Sequence, residues 1–75
     1  METDWREQIT VDPRVQGGKP VLKGTRMPVY IVVGAVASGM STREICDEYY
    51  LTEEQVRSAL RYAAETMADE IVVVS

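Results

Sequence analysis

The sequence predicts a mainly α domain, a three-helix bundle ending in a helix-turn-helix at residues 41–67 and preceded by short N-terminal β segments. Three observations predict it. Complete helix-capping sets begin at Ser41 and again at Thr52, eleven residues apart. An apolar stripe at helical spacing follows the second set. The first third of the chain is punctuated by Gly and Pro too often to be helical.

In chain order, residues 1–8 are polar apart from Trp5, the one side chain able to anchor them. Ile9-Thr10-Val11 alternates apolar and polar residues and is closed by Asp12-Pro13, a short strand followed by a turn. Gly17-Gly18 marks a second turn, and Gly24 lies between Val21-Leu22 and Arg26-Met27 where a tight reversal fits. Residues 9–28 therefore read as strands and turns. Pro28 suits the first position of a helix, and Val29, Val32, Val33 and Val36 follow helical spacing up to a stop at Gly39. Ile31 and Ala35 make this helix apolar on more than one face, which suggests deep burial or a subunit contact.

The next two helices carry their own start signals. Ser41-Thr42-Arg43-Glu44 and Thr52-Glu53-Glu54-Gln55 are capping boxes, and Met40 with Ile45 and Leu51 with Val56 are the accompanying hydrophobic staples. Each cap stabilises its helix by about 1 kcal/mol. The spans are Thr42 to about Tyr49 and Glu53 to about Met67. The second buries Val56, Ala59, Leu60, Ala63 and Met67 against Ile45 and Tyr49, with Cys46 nearby. After Asp69-Glu70, residues 68–75 hold a β-prone apolar tail, Ile71-Val72-Val73-Val74. Left exposed it would aggregate, so it is expected to meet the Ile9–Val11 strand, a second subunit or a partner protein.

The size and composition bound the function. At 75 residues the chain is one domain (1–75), with a core small enough that oligomerisation would help it. With 45% hydrophobic and 27% charged residues it is globular rather than disordered. Cys46 is the only cysteine, which rules out an internal disulfide and suits a reducing cytoplasm. No apolar run approaches the roughly 20 residues of a membrane span. With no histidine and a single cysteine, neither a Cys–His nucleophile nor a typical zinc site can be assembled, so no catalytic role, metal or cofactor is expected.

Charge is unevenly spread over the net of -4. Residues 1–27 hold five cations and four carboxylates, a net of +1, whereas residues 28–75 hold three cations and eight carboxylates, a net of -5. The face of the last helix opposite its stripe would show Glu54, Ser58, Arg61 and Glu65, with Gln55 and Arg57 on the flanks. Gln55 could read adenine, and Arg57, Ser58 and Arg61 could contact bases or phosphates. Against this, Glu53 and Glu54 stand where such a helix would approach phosphate. Helix-terminal acids and a Glu53–Arg57 pair explain them without DNA. Lys19, Lys23 and Arg26 could form a basic patch. In the blander alternative their glycines only make turns and Arg26 pairs with a carboxylate such as Asp12. The spacing does not fit a phosphate-binding loop leading into a helix.

Ile9-Thr10-Val11-Asp12-Pro13, the Gly17-Gly18-Lys19-Pro20-Val21 and Lys23-Gly24-Thr25-Arg26-Met27-Pro28-Val29 strings, Gly39-Met40-Ser41 and the second capped helix together resemble domain-of-unknown-function family 433. The resemblance covers about Ile9 to Ala64. It implies a small homeodomain-like or winged-helix-like fold. It further implies an antitoxin of the VapB type, encoded beside a PIN-like toxin nuclease and commonly binding its own operator DNA as a homodimer. The expected function is thus neutralisation of a toxin protein. A stand-alone DNA-binding regulator and a structural dimerisation or adaptor module are the alternatives. The tail falls outside the resemblance, and Ile71, Val72, Val73 and Val74 are expected to bind a partner or a second copy.

Overall fold

The computed structural model describes residues 4–68, and the apolar tail at 71–74 lies outside them. The order is a 3-10 turn at Trp5–Gln8, strand β1 (Ile9–Thr10), strand β2 (Val21–Leu22), and helices α1 (Val29–Ala37), α2 (Thr42–Tyr49) and α3 (Glu53–Ala68). The protein is mainly α, three helices preceded by a two-stranded antiparallel sheet. Ile9 pairs with Leu22 and Thr10 with Val21. β1 thus finds its partner within the N-terminal third, and Val11 is left outside the strand and exposed.

The strand-to-helix connection is tied by one threonine. The Thr25 hydroxyl donates to the Leu22 carbonyl at 2.7 Å and accepts from the Met27 amide at 3.0 Å. The Leu22 amide donates to the Met27 carbonyl at 3.0 Å, closing the loop. Gly24, at φ +78°, makes the reversal that an L side chain would strain. The chain then enters α1 with Pro28 as the residue before the first helical one, its ψ of 141° being still extended. This is one position earlier than the first-turn role expected for Pro28.

α1 ends on Gly39, at φ +100°, where the Gly39 amide donates to the Val36 carbonyl and the Met40 amide to the Ala35 carbonyl. This pair of bonds is the Schellman stop, and it satisfies carbonyls that the end of a helix leaves open. Both capping boxes form. The Ser41 hydroxyl accepts from the Glu44 amide at 3.1 Å while the Glu44 carboxylate accepts from the Ser41 amide at 2.9 Å. Thr52 and Gln55 repeat the exchange at the same two distances. The connection between α2 and α3 is only Tyr50-Leu51-Thr52.

The core lies where these elements meet: Leu22, Val29, Val32, Ala35, Ile45, Leu51, Val56 and Ala59 form one buried cluster. Both staples contribute, with Ile45, Leu51 and Val56 inside it and Met40 packed against it. Cys46 packs there too, half-buried. Two sequence expectations need correction. Met67 does not continue the buried stripe and is 67% exposed, because among the described residues the packing partners of α3 cover its first half. Val36 is likewise exposed, since α1 turns Val29, Val32 and Ala35 to the core instead. Trp5 does anchor the N-terminal segment: its ring meets Tyr62 of α3 edge-on, with centroids 6.2 Å apart at 71°. No helix among the described residues is long and apolar enough to cross a membrane.

Candidate functional site

The side chains of α3 singled out as candidate DNA contacts are not all free to reach a ligand. Ser58 is buried, 4% exposed, and therefore leaves the outer face of α3. Gln55 is half-buried, and its Oε1 is held by the Thr52 amide in the α3 cap. A bidentate adenine contact needs that oxygen as well as the amide nitrogen, so the cap and base reading compete. Arg61 is exposed and lies 3.6 Å from Glu65, one helical turn on. Arg57 is exposed, but it does not pair with Glu53; the two line a shallow recess with Thr42, Val56 and Leu60. Of the four, Arg57 alone remains an outward cation without a carboxylate within 4 Å among the described residues.

In the basic turns, Asp12 is taken by Arg14 rather than Arg26. Two guanidinium nitrogens of Arg14 reach its two oxygens at 3.1 Å each, and the Arg14 amide adds a third bond at 2.9 Å. These bonds hold the Asp12 carboxyl below its ordinary pKa of 3.8. Lys23 and Arg26 are exposed on the loop closed by Thr25, where the Arg26 carbonyl accepts from the Gln16 side-chain Nε2 at 3.3 Å. Lys19 is placed differently, with its ammonium 4.9 Å from the centre of the Tyr30 ring on α1. The Gly17-Gly18-Lys19-Pro20 and Lys23-Gly24-Thr25-Arg26 strings are thus accounted for as turns, and their cations face outward.

Two surfaces stand out beyond these residues. Asp47, Glu48, Glu53 and Glu54 are all exposed around the α2–α3 connection, and none is in an ion pair among the described residues. The other surface was not legible from the chain. It is an open groove of about 610 Å³ between α1 and the last turns of α3, walled by Pro20, Tyr30, Val33 and Gly34 on one side and Tyr62, Ala63 and Thr66 on the other. Lys19 is the only charged residue of the lining among the described residues. The signal that pointed towards it was the uniformly apolar α1, which carries no charge in nine residues.

A family model described as "Protein of unknown function (DUF433)" matches residues 9–63. Among curated proteins, "Uncharacterized protein y4eO" of Sinorhizobium fredii is 42% identical over 59 residues, covering 77% of this chain and 27% of that protein. "Putative antitoxin VapB45" of Mycobacterium tuberculosis is 35% identical over 52 residues, covering 69% of this chain and 22% of that protein. The chain therefore spans about a quarter of the length of these relatives. Among solved structures, a DUF433 member from Anabaena variabilis superposes with a TM-score of 0.73 at 30% identity, over 77% of this chain and 58% of that one. Rv2018 from Mycobacterium tuberculosis gives 0.66 at 32% identity, over 75% and 27%.

Proposed function

The chain belongs to the DUF433 family, and from that premise we propose that it is an antitoxin-like protein that binds and neutralises a toxin nuclease of the PIN-like type. The observation that carries this reading is the carboxylate surface around the α2–α3 connection. A nuclease that handles RNA is basic along its substrate path, and Asp47, Glu48, Glu53 and Glu54 offer an unpaired acidic surface to cover it. The name given to the Mycobacterium tuberculosis relative supports the same reading. The protein acts as a cytoplasmic homodimer, and operator binding is its second activity. Co-expression with the product of the neighbouring gene tests it: the two co-purify and growth is rescued. Failure of both, with each protein folded, overturns it.

A second reading, a stand-alone DNA-binding regulator, is favoured by the short connection between two capped helices and by the outward cations Arg57, Lys23 and Arg26. Under this reading the chain retards its own promoter fragment in a gel, and the affinity falls steeply as salt rises. Arg57→Ala then weakens retardation, whereas Arg61→Ala, whose cation is already shared with Glu65, weakens it less.

A further inference from the structure

The groove between α1 and the last turns of α3 is open among the described residues although its walls are apolar. Its size bears on what it can take. The nine residues of α1 give it about 13 Å of length, and one helix diameter is about 10 Å, a footprint on the order of 150 Å². A standard protein interface needs about 800 Å² from each partner, so a second copy seated there would have to find most of its contact elsewhere. The volume of 610 Å³, by contrast, falls in the range of small-molecule sites, roughly 300–1,000 Å³.

Charge sets the class of ligand. The Lys19 ammonium lies over the Tyr30 ring, 4.9 Å from its centre, and enters no ion pair among the described residues. The backbone beside it is tied to the start of α1: the Pro20 carbonyl accepts from the Val29 amide at 2.9 Å, and Val21 bridges to Pro28. The cation and the apolar wall are thus joined before any ligand arrives. Gly34 lies one helical turn beyond Tyr30, and a Cβ added there would meet nothing within 4 Å. Packing among the described residues does not require glycine at that position, whereas bare backbone lets a ligand approach closely. We propose that the groove binds a small medium-chain carboxylate, with its hydrocarbon on Tyr30, Val33, Gly34, Tyr62 and Ala63 and its head on the Lys19 ammonium. Residues 28–75 carry a net charge of -5, which disfavours an anion over most of the helical surface. Apolar walls relieve the chain of water, and the ammonium supplies a charge-assisted hydrogen bond to the head. The inference requires neither the toxin nor DNA, so failure of the proposed function leaves it standing.

Titration of the full chain with octanoate tests it, followed by calorimetry and by amide chemical shifts. Octanol, which has the same chain without the charge, is titrated beside it. The expected result is one octanoate per chain, with the Gly34 and Ala63 amides shifting and those of Asp47 and Glu48 still. Octanol binds about three- to fivefold more weakly, the worth of one partly exposed ion pair. Lys19→Gln brings octanoate down to the level of octanol. Gly34→Leu places a side chain in the groove, favours the helix and abolishes binding of both, with circular dichroism confirming the fold. No saturable binding, equal affinity for octanoate and octanol, or unchanged binding by Gly34→Leu overturns the inference. Shifts at Gly34 that depend on protein concentration without any octanoate would place a second copy in the groove, and they overturn it too.

Discussion

Tyr50 follows the last turn of α2 at φ 57° and ψ 47°, the left-handed geometry that Gly39 supplies at the end of α1. Its side chain is 93% exposed, so no packing among the described residues offsets the strain. Tyr50→Gly is expected to raise stability by about 1 kcal/mol, read as a higher melting temperature. Under the proposed antitoxin reading, a simultaneous loss of nuclease capture would show that the ring is kept for contact. Glu44 behaves differently because its value depends on pH. Its bonds from the Ser41 amide and hydroxyl hold its carboxyl below the ordinary 4.5. A carboxyl lowered in the folded state contributes stability that is present above its unfolded pKa and lost as pH falls through the folded one. The α2 cap therefore weakens below about pH 4.5, while the α3 cap, built on Thr52 and neutral Gln55, does not titrate. Glu44→Gln is expected to flatten the acid side of a melting-temperature-against-pH profile, and an unchanged profile would refute that assignment.

Among the elements, β2 is only two residues long yet places Leu22 fully inside the helical cluster. Leu22→Ala is expected to cost about 2–5 kcal/mol, enough to unfold much of a domain this small at 37 °C. Circular dichroism melts check it. The elements themselves were legible because caps and staples are local: Ser41 to Glu44 and Thr52 to Gln55 need only four residues each to declare a helix start. Faces were less legible. Ser58, Val36 and Met67 each lie within one turn of a correctly read apolar position, and which of them is covered depends on how α1 and α3 cross. Strand pairing was open for the same reason, since Ile9 has its partner Leu22 thirteen residues away. The candidate site suffered most. Nothing in the type of Gln55 or Ser58 says that one is spent on a cap and the other on the core.

For the whole molecule, the division of charge sets what it can approach. If the proposed antitoxin reading holds, reversing the carboxylates at the head of α3, by Glu53→Lys with Glu54→Lys, weakens capture of the nuclease by about tenfold and strengthens retention on phosphate-bearing polymers. Pull-down and heparin chromatography measure the two effects, and unaltered toxin binding would move the contact elsewhere. The N-terminal turn carries a different kind of consequence. Trp5 is the only tryptophan in the chain, set edge-on to Tyr62 with the Arg6 guanidinium 4.6 Å from its ring centre. Tyr62 also walls the groove beside α1. The protein thus has an intrinsic optical probe: one indole whose emission colour and polarisation report whether the turn still grips α3, and whether anything has entered the space next to it.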